Sequence, residues 1–540
     1  MRTFNRKVSQ TRYLLLWVGV FAFFLATWVS PIYAPDDYLF ATRSGLPNRQ
    51  TDLASLFHFL KVDLFERNGR ISDVITQLAM TSDLFVALTA ATVSSLLTFS
   101  LFLWIRRLSA IDFIGFRQNA MIVCIAVSVP FIVTWADPNQ AGDTLYFFSA
   151  TVSTVGGVAG ALLTAYILEC LFQEPKRSIL WAGAIVGMVV ASLVHESAGL
   201  FIVGFVTASL VRRSPVKTRL AVFFAILTVF AARMAVPGIW RRAGLVEEAV
   251  YKQKEYSGLS IVLIRISRAT FEQISFNADI WFLLSVTLCA LAIGVMRKSS
   301  SSPDYLTLTA TGFVVVSYLG WYVSGLRLGV WWRGSAQTPD DYARIFISKT
   351  GMIGILAIVV WHIGALMILL FLQKNDSDRV VLPIFVAGAA TLMIPTYIGT
   401  GQGRQVFFFA IGATLVVVSI ALRTIIKIVQ SNDVAGTLRD WNSKAKLVLV
   451  LPTAGVALVV ATFWVPGEYV RLWENQRIYS AVHQEVLAAK RGESHAVRIP
   501  DQVPFRSLSF RGLHYRSEFR EQFRLFHGLG SHVDVLVNME

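Results

Sequence analysis

Residues 30–40 read SPIYAPDDYLF, and the adjacent carboxylates Asp36 and Asp37 are the first side chains in the chain with chemistry to offer. They follow an apolar run long enough to cross a membrane. A carboxylate at that edge has two chemical uses. It can take the proton of an attacking hydroxyl, or it can hold a divalent cation against the phosphate or diphosphate of a lipid. Neighbours in sequence do not share a face, so the two need not do the same job. Pro35 is expected to end any helix arriving from the run. The plain alternative is a solvated acidic cap that stops the span from sliding inward.

Other residues form a set of anion and sugar ligands. Arg70 follows ERNG (66–69), and its planar fork suits a donor phosphate or an aspartate partner. Arg404, in IPTYIGTGQGRQVFFF, opens a span after a glycine-rich turn, where close backbone approach and a helix start both favour an anion; Tyr397 and Gln402 stand beside it. His195 and Glu196 sit between two apolar runs, where burial without partners is costly. His195 is a candidate phosphate or sugar donor, and Glu196 a residue that orients it, binds sugar or acceptor, or joins Asp36 and Asp37 at a cation. The single HE lacks the second histidine of a zinc hydrolase. Trp135, Asp137, Asn139 and Asp143 offer a ring and polar groups for a sugar. Arg265, Arg268, Arg333 and Arg344 are further candidates for an anionic lipid or acceptor.

These residues need a scaffold, and composition says which kind. The chain has 540 residues, 55% of them hydrophobic and 15% charged, with a mean hydropathy of +0.57. Soluble domains carry roughly 25% charge, so an all-α polytopic membrane protein is expected. Apolar runs fall at 13–33, 80–104, 118–135, 145–168, 179–194, 197–211, 218–235, 281–296, 305–325, 351–372, 380–395, 405–422 and 446–463. That makes about 13 transmembrane helices. A short apolar segment at 257–264 reads as re-entrant or interfacial, and glycines in GGVAG (156–160) as span packing. Cys124, Cys170 and Cys289 show neither disulfide nor metal spacing.

The net charge of +15 does not mark a nucleic-acid partner, because its positions sort by loop. RRLSAIDFIGFR, EPKR, RRSPVKTR, MRKSS and 423–446 share one side with the N-terminus, whereas ADPNQAGD and TYIGTGQG lack Lys and Arg. The positive-inside rule places the basic set in the cytoplasm. The first run reads as an uncleaved anchor. The opposite side then receives loops 34–79 and 236–280 and the region 464–540, leaving 1–463 as the transmembrane domain. Within the first loop, DLASLFHFLKVDLF (52–65) aligns Leu53, Leu56, Phe57, Leu60 and Leu64 on one helical face, an interfacial pattern. In the last region, a helix over 467–492 and strands at 495–500 and 532–539 predict a small extracytoplasmic C-terminal α/β cap.

The order of these motifs resembles the GT-C superfamily of polytopic glycosyltransferases, and is most similar to large bacterial families within it. The resemblance rests on Pro35–Asp36–Asp37–Tyr38, Asn68–Gly69–Arg70, Trp135 and His195–Glu196. It implies a catalytic aspartate in the first outer loop, Asp37 ahead of Asp36, as base toward an acceptor hydroxyl, and a polyprenyl-phosphate sugar as donor. It also implies a cell-envelope glycan or lipid as acceptor and a bacterial inner membrane as location. No nucleotide-binding domain is visible in the sequence, which argues against a nucleotide sugar. Two other readings compete: a transporter or flippase of a lipid-linked or anionic substrate, and a lipid-diphosphate glycan polymerase or ligase.

Overall fold

A computed structural model describes residues 2–28, 33, 35–42, 48–67, 69–109, 116–133, 145, 148–211, 216–241, 259–296, 305–328, 339–372, 380–392, 403–430, 465–500 and 517–538. They are overwhelmingly helical. The order begins α1 Arg2–Trp28, α2 Pro35–Ala41, α3 Leu53–Val62, α4 Ser72–Ala79, α5 Asp83–Leu108, α6 Phe116–Val133 and α7 Phe148–Gln173. It continues with α8 Ser178–Val194, α9 Glu196–Ser209, α10 Val216–Met234, α11 Leu259–Met296 and α12 Tyr305–Arg327. Then come α13 Pro339–Ile347, α14 Lys349–Leu372, α15 Val381–Thr391, α16 Gly403–Gln430, α17 Val465–Lys490, β1 Ala496–Pro500, α18 Ser517–His527 and β2 Asp534–Asn538.

Five helices, within α1, α5, α7, α12 and α14, are long and apolar enough to cross a membrane, and shorter apolar helices accompany them. Their outward faces carry Leu14, Val186, Val316 and Leu356, all exposed. Apolar surface on that scale is what a bilayer covers and water does not. The expected run 446–463 lies outside the described residues. Two expectations change. The described part of 257–264 does not stand apart, because α11 runs unbroken from Leu259 through the whole of the next span. Much of the expected loop 236–280 is therefore helix. Pro35 does not end a helix either: the chain is already non-helical at Tyr33, and Pro35 is the first residue of α2. Proline tolerates a helix's first position because the missing N–H would have no partner there.

Glycines set the tightest packing. A Cβ on Gly160 would lie 3.1 Å from Ala191 Cβ, and one on Gly187 would strike Thr164, so α7 and α8 run against each other nearly backbone to backbone. One step further along this seam, a Cβ on Gly157 would lie 2.7 Å from that of His195. Gly157→Val is therefore expected to destabilise the bundle by about 1–3 kcal/mol, read as a lower midpoint in a thermal melt in detergent.

His195 is the joint between α8 and α9. Its backbone is extended (φ −152°, ψ 132°), and its Nδ1 accepts from Ser197 N at 3.1 Å, capping α9. Ser192 and Gly199 are seven residues apart, a rise of roughly 10 Å on a straight helix. A methyl on Gly199 would nevertheless reach Ser192 Cβ at 3.1 Å. The chain turns back sharply here, which supports reading 179–211 as two short helices.

A separate hydrophobic core joins the first loop to the C-terminal region. Tyr33, Tyr38 and Met80 are buried with Val482, Val486, Val497, Phe523 and Phe526. Tyr38 Oη meets Tyr479 Oη at 2.7 Å, and Arg49 lies 4.0 Å over the Phe526 ring while pairing with Asp83. Asn48 and Arg49 both have positive φ, 58° and 59°, and Asn48 N donates to Leu525 O at 2.9 Å. The strained turn is thus held by the C-terminal element it hooks. β1 and β2 pair in parallel, with Ala496 opposite Asp534.

His527 makes this docking sensitive to acid. Burial holds its imidazole well below the usual histidine range, reinforced by the positive charges of Arg49, His483 and Lys490. Tyr38, Phe523 and Phe526 pack around the ring. The folded value is the depressed one, so the undocked state takes the proton first. Docking stability is intact above the ordinary histidine value of about 6.5 and falls below it, by up to ~1.4 kcal/mol per pH unit. Exchange protection in 517–527, measured against the intrinsic rate at each pH, is expected to fall between about pH 7.5 and about pH 5.5, and His527→Phe should remove that fall.

Candidate functional site around Asp37 and the Arg70–Glu196 pair

The first loop and the α8–α9 joint meet at one end of the bundle. Asp37 lies in the first turn of α2, where the helix dipole favours a carboxylate, and its side chain is fully buried. Its Oδ1 accepts from Ser149 N at 3.1 Å. Ser149 belongs to the opening turn of α7, which widens into a π-turn over Thr151–Val155. Such turns interrupt regular helix bonding and recur at functional sites. The same stretch walls a narrow, mostly apolar cavity: Leu145 and Val155 line it with Phe24, Trp28, Leu97 and Phe131. Trp28 also meets Phe148 edge to face at 5.9 Å. Ser149 therefore meets the Asp37 carboxylate while Leu145 and Val155, on either side of it in sequence, line the cavity.

Arg70 and Glu196 meet directly. Arg70 Nε donates to Glu196 Oε2 at 2.6 Å and Nη2 donates to Oε1, a two-point fork. Both side chains are nearly inaccessible, at 11% and 3% exposure. Burial alone would pull the Arg70 guanidinium down, but the Glu196 charge and bonds outweigh it and hold it above its ordinary value. A backbone bond from Ile71 N to Leu193 O, 2.9 Å, stitches the loop to the end of α8 alongside. The sequence reading offered Arg70 to a phosphate or an aspartate, and Glu196 to sugar, acceptor or cation. The structure instead makes them partners of each other. Among the described residues, no group of three His, Cys, Asp or Glu stands close enough to hold a metal.

His195 is buried, its ring 5.2 Å from that of Phe408 on α16. Arg404 stands on the same helix one turn before Phe408; its side chain lies outside the description, as does that of Asp36. Trp135, Asp137, Asn139, Asp143, Arg333, Tyr397, Gln402 and Asn68 lie outside the described residues. Of the further arginines, Arg265 is buried on α11 and Arg344 is exposed on α13, while the side chain of Arg268 lies outside the description.

Two residues at this end escaped the sequence reading. Arg233, in the last turn of α10, donates from Nε to Ser192 O at 2.9 Å and from Nη2 to Gly69 O. Asp73, buried at the start of α4, lies within electrostatic reach of Arg70. The signal for Arg233 was an arginine inside an apolar run, which has to find partners. Gly69 adopts φ +66°, and a Cβ there would meet Ile239 at 2.7 Å. The NGR turn is thus closed by glycine. α3, alongside, buries none of its residues; Leu53 and Phe57 point outward, while Leu56, Leu60 and Leu64 are half covered.

No family model, no curated protein and no solved structure matches the chain.

Proposed function

We propose that the chain is a polytopic membrane glycosyltransferase of the GT-C type, with about 13 spans. The N-terminus is cytoplasmic and the C-terminal α/β cap extracytoplasmic, in a bacterial inner membrane. It moves a sugar from a polyprenyl-phosphate donor to a cell-envelope glycan or lipid acceptor. The observation that carries this reading is Asp37. A buried carboxylate on the short helix α2 is held by Ser149, whose close sequence neighbours Leu145 and Val155 line an apolar cavity. A lipid-linked sugar has the same two-part chemistry, an apolar tail and a reacting polar head. Asp37 takes the proton of the acceptor hydroxyl as its oxygen bonds to the anomeric carbon. The bond from that carbon to the phosphate oxygen breaks, and the polyprenyl phosphate leaves with the electron pair. Arg70 serves the phosphate, and exposed Leu53 and Phe57 on α3 lie in the headgroup layer.

The sharp turn at His195 favours a second reading, a transporter, since interrupted helices build transport sites. One experiment decides between them. Purified protein in nanodiscs is given a panel of polyprenyl-phosphate sugars with envelope glycan and lipid acceptors, and products are weighed by mass spectrometry. A glycosylated acceptor supports transfer. Movement of a lipid-linked substrate across a liposome bilayer, with every donor intact, sinks the transferase reading.

A further inference from the structure

Arg233 is 4% exposed, and its Nη1 is buried with no hydrogen-bond partner among the described residues. Its other two nitrogens are spoken for by Ser192 O and Gly69 O. Those two carbonyls fix the plane of the guanidinium, so Nη1 is a donor with a set direction and nothing to bond. Leaving such a donor unpaired in a buried place is costly. Nη1 lies 3.2 Å from where a Cβ on Gly69 would stand, and Gly69 directly precedes Arg70 in the chain, so the unfilled donor sits on the loop turn that carries the ion pair. A carboxylate and a phosphate are interchangeable partners for an arginine fork, each offering two oxygens in the same spacing.

We infer that Arg70, Arg233 and Glu196 form an anion site closed from within, in which Glu196 fills the Arg70 fork until a phosphate displaces it and bonds to Arg233 Nη1. This rests on the reading of Arg70 as the residue that serves the phosphate. Glu196 stands in the first turn of α9, where the helix's free N–H groups stabilise its carboxylate once it is released. A neutral headgroup brings no charge to replace the carboxylate, so it leaves the pair shut. Phosphate arrival therefore changes where Glu196 points, and the site opens only to an anion. Two sources supply that chemistry, a lipid phosphate and free phosphate.

The test measures binding of three probes to full-length protein in nanodiscs: a polyprenyl monophosphate, the matching polyprenol, and inorganic phosphate as competitor. Arg233→Gln is expected to weaken the lipid phosphate at least about tenfold, and Glu196→Gln to tighten it by about tenfold, because the internal competitor has lost its charge. A merely structural role for Glu196 predicts the opposite sign. Competition by inorganic phosphate assigns the site to the free anion as well; its absence, with the lipid phosphate still preferred over the polyprenol, assigns it to the lipid. Equal binding of polyprenol and polyprenyl phosphate overturns the inference, as does unchanged or weaker binding by Glu196→Gln. If Glu196→Gln fails to fold, purification in inorganic phosphate should restore a monodisperse protein, and failure to restore it also overturns the inference. Absence of sugar transfer with the Glu196→Gln gain intact removes the transferase reading alone; active transfer without that gain removes the closed site alone.

Discussion

Glu196→Ala is expected to lower the stability of the bundle by about 3–5 kcal/mol, the cost of stranding a buried charge whose partner has been removed. The magnitude follows from the geometry. Arg70 gives two of its N–H groups to one carboxylate and both side chains are nearly closed to solvent, so neither water nor another carboxylate replaces the loss cheaply. Arg70→Ala should cost a similar amount for the mirror reason. The double variant should be more stable than the sum of the two losses predicts, because it strands nothing. Thermal and denaturant midpoints of the four proteins in one detergent measure this. Strictly additive losses would show that the pair does not act as a unit. Arg233 adds a second restraint, since it ties Gly69 O on the loop to Ser192 O on α8, so the joint at His195 does not come apart when the pair alone is cut.

The second large effect concerns catalysis. Asp37→Asn keeps the size of the side chain and an oxygen for Ser149 N, yet it cannot take a proton. Transfer is expected to fall by on the order of 10²–10⁴, with the melting midpoint little changed. The same donor and acceptor panel reads the loss, and retained transfer would remove Asp37 as the base. Asp37→Ala is a weaker test, because it also leaves the Ser149 N–H without its acceptor. Burial and that backbone bond are the grounds for taking Asp37 as the base.

The sequence exposes the apolar scaffold well, because membrane helices advertise themselves through length and hydropathy. The joint at His195 was also legible, since a histidine and a glutamate between apolar runs have to end up against partners. Partner identity was not. Arg70 and Glu196 are 126 residues apart, and nothing in ERNGR or VHESA names the other. Pro35 misled for a local reason, since proline stops a helix from behind and starts one from the front with equal ease, and only the start of α2 at Pro35 shows which applies. The continuity of α11 was hidden by the polar residues between its two apolar stretches, which interrupt an apolar run without breaking a helix. Arg233 passed unnoticed because an arginine near the end of a span reads as an ordinary boundary residue. Its worth appears only when Gly69 and Ser192 are seen beside it.

The shared core of the first loop and the C-terminal region has a consequence for how the molecule is made. Tyr38 and Tyr479, hydrogen-bonded partners, are 441 residues apart. When the loop that carries Asp37 leaves the ribosome, half of the wall that buries Tyr33 and Tyr38 has not been synthesised. At roughly 5–20 residues per second, that wait lasts on the order of 20–90 seconds. During it, the aromatic face of the loop stays open while nearly every span is already being inserted. Chains released early would keep that face uncovered, a mark that chaperones and proteases of the compartment can read. The site is thereby completed only on chains whose synthesis has run on through Phe526.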